Sequence, residues 1–172
     1  MDWKKIRLIR SDDYKVFKVE TAVFSYQNAE STFYQIKAPD WVNVICEVDD
    51  TIIMIRQFRI GIEDYTLELP GGLVDAGELA LDAGIRELAE ETGYSGSACM
   101  IGTMHPNPAL FTNKLSTVLI RHAQQTEQIS REIFEDIEIV RISLQEIKRK
   151  IAHGEITNAL TLASLMQYFS MT

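Results

Sequence analysis

Apolar and polar positions in the first third of the chain alternate over short runs, the period of a strand. Residues 14–26 (YKVFKVETAVFSY) and 32–38 (STFYQIK) alternate in part and predict two strands, with Asn28 and Ser31 supplying turn chemistry for a hairpin between them. Residues 41–48 and 51–58 predict a second hairpin joined at Asp49-Asp50. Residues 66–69 predict a short strand halted by Pro70-Gly71-Gly72. Over 79–92 the period changes to that of a helix. Strands are expected again at 100–104 and 115–122, around a loop carrying Pro106 and Pro108, and at 137–142. Residues 144–152 and 157–168 read as helices separated by a stop at His153-Gly154. Many strands with few, late helices predict an α+β protein built in layers around a mixed sheet.

The predicted helix at 79–92 concentrates chemistry. On it Glu87, Glu90 and Glu91 stand at i, i+3 and i+4 and share one face. Three like charges there repel unless a counter-charge is bound, and hard oxygen ligands in a tight group suit Mg²⁺ or Mn²⁺. Ala80, Gly84 and Leu88 line the opposite face, small or apolar, as a helix lying close to a sheet requires. Arg86 is the only base in the stretch. An isolated acidic run is usually a solvated face; the full spacing argues otherwise. It reads Gly72, five residues, Glu78, seven residues, Arg86-Glu87-Leu88, one residue, Glu90-Glu91, one residue, Gly93, then Tyr94.

Composition narrows the context. A chain of 172 residues, 46% hydrophobic, suits one domain with a sizeable core. A net charge of −8 argues against a general nucleic-acid surface. Cys46 and Cys99 form no CxxC or Cys/His cluster and are expected to be buried free thiols. The start of the chain lacks the apolar core of a signal peptide, and no run reaches the roughly 18 apolar residues of a membrane span. A cytoplasmic protein is expected, with no membrane partner.

The spacing from Gly72 to Tyr94 resembles the Nudix box, with Tyr94 where an aliphatic residue is more usual. A looser resemblance to bacterial ADP-ribose and nucleotide-sugar pyrophosphatases extends from about Phe33 to Tyr168. It implies a Nudix-type α/β/α sandwich with a mixed sheet, occupying 39–172, preceded by N-terminal antiparallel strands (1–38) that pair with a second subunit in a homodimer. It implies Mg²⁺, with Mn²⁺ as a substitute, held by Glu87, Glu90, Glu91 and the Gly71 carbonyl. Arg86 then either fixes a box carboxylate or is a surface partner of Glu90. Glu78, just before the helix, is expected to act as an N-terminal cap or dipole partner. The general base is expected on a late acidic loop, where Glu135 aligns best and Glu132 next. Substrate contacts are expected from Arg59 and Arg56 at a strand end, and from Leu73, Asn107 and Trp41. Trp41 suits a nucleobase stack or a core or dimer-interface position equally well.

The function implied is hydrolysis of the diphosphate of ADP-ribose or another nucleoside diphosphate sugar, giving a nucleoside monophosphate and a sugar phosphate. Asn113 stands where ADP-ribose enzymes carry an acid, which points to a looser choice of sugar nucleotide. Rivals are a non-catalytic nucleotide-sugar-binding module, a Nudix enzyme for dinucleoside polyphosphates or coenzyme A, and an acidic scaffold without a ligand, which leaves the box spacing unexplained.

Overall fold

The computed structural model describes residues 2–126, 128–130 and 136–171. The elements run β1 (Lys4–Asp13), β2 (Lys18–Tyr26), β3 (Ala29–Lys37), β4 (Trp41–Val48), β5 (Thr51–Arg59), β6 (Asp64–Glu68), β7 (Gly71–Leu73), α1 (Ala80–Thr92), β8 (Tyr94–Met104), β9 (Leu115–Gln125), β10 (Ile137–Ser143), α2 (Leu144–Ala152) and α3 (Ala159–Phe169).

Seven strands build the main sheet in the order β10-β5-β4-β9-β8, with β6 on β5 and β7 on β4. Strands β4 and β9 run parallel and the other pairs antiparallel, so the sheet is mixed. Its central strands are buried on both faces, and their side chains sort by parity. Val44, Cys46 and Ile53 point to the side where α1 packs with Ala83 and Leu88. Ile45, Ile52 and Met54 point to the other side, onto Ile147 of α2 and Leu165 and Tyr168 of α3. The result is the α/β/α sandwich with a mixed sheet. Among the described residues no helix is long and apolar enough to cross a membrane.

Helix α1 lies close to the sheet because position 84 is glycine: a Cβ there would stand 2.7 Å from Val118 Cγ2. Leu88 is fully buried beneath it. Gly93 ends the helix in the left-handed conformation (φ 74°), its amide bonded to the Ala89 carbonyl at 2.8 Å. Tyr94 follows into the core, so the unusual residue at that position is a packing residue.

Two expectations need correction and one needs extension. The single strand expected over 14–26 is a turn and a strand; Lys15 (φ 69°) turns the chain between β1 and β2. Strand β1 escaped notice because its sequence, KKIRLIRSDD, is largely charged and exposed and its pairing is interrupted by two register shifts. The reading of Pro70-Gly71-Gly72 as the stop of one strand holds for β6 but leaves out the start of another. Gly71 opens β7, which pairs Asn43 with Gly71 and Val42 with Gly72. A Cβ on Gly71 (φ 154°) would stand 2.0 Å from the Val42 carbonyl oxygen, so glycine alone allows that approach. Finally, Cys46 is buried but Cys99 is exposed.

Strands β1–β3 form a separate antiparallel sheet. It joins the rest through Ile36, whose amide donates to the Leu110 carbonyl at 2.9 Å and whose carbonyl accepts from Thr112 at 3.1 Å. It carries an aromatic cluster, Trp3 stacked on Tyr26 at 4.9 Å and edge-on to Phe33 at 5.7 Å. Ile6, Leu8, Ile9 and Val16 are also exposed.

Candidate active site

One cleft, of about 890 Å³, opens where β4–β7 meet α1. Helix α1 presents Glu87, Glu90 and Glu91 to it, β7 supplies the Gly71–Leu73 backbone, and Arg59 at the end of β5 and Trp41 of β4 line it as well. The i, i+3, i+4 spacing thus delivers the three acids to one concavity.

Arg86 organises that wall. Its Nε and Nη2 fork onto Glu78 at 2.9 and 3.0 Å, Nη1 donates to Glu87 at 2.8 Å and Glu90 at 3.1 Å, and Nη2 also donates to the Leu73 carbonyl at 3.0 Å. All five guanidinium N–H groups are thereby engaged, so Arg86 acts on the carboxylates and has none left for a ligand. The hydrogen bonds to Glu78 in turn raise its own pKa further. Glu78 does not cap the helix: the N-cap is Leu79, with no side-chain bond. Its carboxyl is held below the usual range first by Arg86 and then by the Asp75 amide.

Glu87 rests against Gly72, where a Cβ would come within 2.5 Å of its carboxylate. Glu91, only 4% exposed, accepts from the Gly71 amide at 3.0 Å. Among the described residues no three acidic, His or Cys side chains close into a ready-made cage. Mg²⁺ commonly takes one or two carboxylates and fills its octahedron with water and substrate phosphate. The donor set fits that habit: carboxylates backed by arginine, on a cleft wall that the Gly71 backbone shares.

Also lining the cleft, Arg59 forks onto Glu68, Nε to Oε1 at 2.8 Å and Nη2 to Oε2 at 2.6 Å. Burial alone would raise the pKa of Glu68, but hydrogen bonds from Arg59, Thr66 and Asn158 hold it below the usual range. Sequence reasoning missed Glu68, Gln57, Asn158 and Ser130, all of which line the cleft. A signal existed for the first two: antiparallel pairing of β5 and β6 puts Gln57, Arg59, Thr66 and Glu68 on one face. None existed for Asn158, which arrives with α3.

The structure does not bring Arg56 into the cleft. It is one residue out of phase with Gln57, pairs with Glu138 at 3.5 Å, and lies over the Tyr65 ring at 4.3 Å on the far face of β5. Asn107 also stays outside; it is exposed, and its carbonyl closes a turn by accepting from Leu110 and Phe111. Trp41 lines the cleft and packs on Phe111 at 5.8 Å, so it serves as cleft wall and packing residue together. Leu73 lines the cleft with its side chain exposed. Asn113 is buried and donates to the Pro39 carbonyl at 2.9 Å, a bond that an ionised acid could not make. Glu135 and Glu132 lie outside the described residues.

Comparison with known proteins agrees with this arrangement. Residues 37–160 match the NUDIX domain model. The chain is 30% identical over 109 residues to the ADP compounds hydrolase NudE of Escherichia coli (strain K12), covering 61% of this chain and 59% of that protein. It is 29% identical over 140 residues to the ADP-ribose pyrophosphatase of Bacillus subtilis (strain 168), covering 79% and 75%. A crystal structure of an ADP compounds hydrolase shares the fold with a TM-score of 0.88 at 22% identity, over 99% of this chain and 94% of that one. With the box spacing, the sandwich and the domain match in agreement, the chain belongs to the Nudix hydrolase family.

Proposed function

We propose that the protein hydrolyses the diphosphate of ADP-ribose or a related nucleoside diphosphate sugar in a Mg²⁺-dependent reaction. The observation that carries this is the cleft itself: three acids of one helix, a glycine backbone and an arginine line the same concavity. The names of the relatives support the substrate class. Mg²⁺, or Mn²⁺ in its place, would be held by Glu87, Glu90, Glu91 and the Gly71 carbonyl, and when bound neutralises diphosphate oxygens and polarises water. Arg59 binds the diphosphate and Trp41 and Leu73 border the nucleoside. A water oxygen bonds to one phosphorus, the bridging P–O bond breaks, and the water's proton passes to a general base. Glu135 is our first choice for that base and Glu132 the second. One described flank of their segment supports this choice: Ser130 lines the cleft, with its amide on the Glu90 carbonyl at 3.0 Å.

Incubation with Mg²⁺ and a panel of ADP-ribose, UDP-glucose, NADH and diadenosine polyphosphates, with release of monophosphate followed, tests the reading. ADP-ribose or another sugar nucleotide should be cleaved fastest, and EDTA should abolish turnover. A protein inert toward the whole panel would refute it.

We also infer a homodimer joined through β1–β3, in the cytoplasm, where free thiols persist. The exposed aromatic and aliphatic residues of that small sheet support the assembly. Light scattering should return twice the 19.6 kDa chain mass; a monomer at micromolar concentration rejects it.

A further inference from the structure

Glu68 is an acid that the box motif does not account for. It lines the cleft from β6 and is 3% exposed. A carboxylate buried so far persists only when paired and hydrogen-bonded. Arg59 covers both of its oxygens, and the Thr66 hydroxyl donates to Oε1. Asn158, which also lines the cleft, is fixed, since its Oδ1 accepts the Thr161 amide at 2.9 Å and caps α3. Thr161 is tied back to the strand by the Leu69 amide at 3.1 Å. The end of β6 that carries Glu68 is therefore tied to α3 through the next residue, Leu69. The Arg59 side chain, by contrast, is 45% exposed and is the last of its strand.

Resting on the diphosphate hydrolase reading above, we propose that Glu68 is a positioning residue that fixes the Arg59 guanidinium at the angle from which it meets the substrate diphosphate. Glu68 itself does not touch the substrate. Its charge makes the sign of the test decisive. Facing a diphosphate, a carboxylate repels, so if charge alone mattered Glu68→Gln would tighten binding. If orientation matters, the same change loosens the hold on Arg59 and weakens binding, because a forked guanidinium acts through direction as well as charge.

The experiment measures kcat and KM for ADP-ribose with Mg²⁺ on wild type, Glu68→Gln, Arg59→Ala and the double variant, and calorimetric binding of inorganic pyrophosphate to each. Glu68→Gln should raise KM roughly tenfold with kcat changed by less than about threefold, the size of one oriented ionic contact. The double variant should be no worse than Arg59→Ala, since both changes remove one unit. Pyrophosphate affinity should fall in parallel with the rise in KM. A lower or unchanged KM in Glu68→Gln, or additive losses in the double variant, overturns the proposal. Should Glu68→Gln fail to fold, Thr66→Val takes its place, with a smaller rise in KM expected and no rise counting against the proposal. A wild type that binds pyrophosphate in a Glu68-dependent way yet cleaves nothing would sink the hydrolase reading and leave this one standing. No pyrophosphate binding by the wild type sinks this proposal and leaves the hydrolase reading to the substrate panel.

Discussion

Glu91 shows how one side chain can serve structure and chemistry together. It is almost wholly buried, and one oxygen accepts the Gly71 amide. A glutamine keeps the size and the acceptor but loses the charge. Glu91→Gln should therefore lower turnover by at least about a hundredfold, the order expected for a lost catalytic electrostatic group, while thermal unfolding stays near wild type. Turnover within a few-fold of wild type would remove Glu91 from the metal set. Arg86 illustrates the complementary case. Its role could be read from spacing only as a choice between holding a box carboxylate and pairing with Glu90; the structure shows it doing both at once, and tying down Leu73 and Glu78 as well.

The cleft exists because β7 and α1 meet closely, and two glycines make that possible. Gly71 lets β7 approach β4, and Gly72 leaves the space that Glu87 fills. An alanine at 72 would press its Cβ against the end of a flexible side chain, which can swing away, so the fold should survive with a loss under about 1.5 kcal/mol. The displaced Glu87 should cost catalysis instead. Gly72→Ala is expected to lower kcat/KM about tenfold or more, with a higher Mg²⁺ concentration needed for half-maximal rate. An unchanged Mg²⁺ requirement would show that Glu87 does not bind the ion. This level of organisation was partly legible. The helix announced itself through Gly84, Leu88 and the acids, because a helical period is local. Strand β1 did not, because a charged, exposed strand with two register shifts carries no clean alternation.

The packed sandwich as a whole also sets an alkaline limit. Burial pushes the Cys46 thiol up to about 12 from an ordinary 9.0. Burial and then the hydrogen bond to Glu47 push Tyr168 up to about 12 from 10.0. Both groups are neutral when protonated, and their folded values lie above the unfolded ones. Their contribution to stability is therefore complete below pH 9 and is lost as pH rises from 9 to 12. The melting temperature should decline across that window, and Cys46→Val should flatten its lower part; a curve unchanged by Cys46→Val would exclude the thiol. Cys46 should also ignore a thiol reagent that modifies Cys99 at neutral pH, because one is in the core and the other on the surface.

The acid-bearing helix and the hairpin at Asp49-Asp50 could be read directly from the chain, because each depends on neighbours within a few positions. The family followed from the same local spacing. Which arginine of β5 enters the cleft did not: Arg56 and Arg59 sit three apart on a strand and so face opposite sides, and the inward side is set by what packs above β5. The buttress behind Arg59 lay further out of reach, since it needs β6 and the start of α3 to touch. Leu69 and Thr161, 92 positions apart, meet only once both layers have closed on the sheet. Local periodicity thus assigns side chains to faces, but the contacts between faces arise from packing and are written nowhere in the linear pattern.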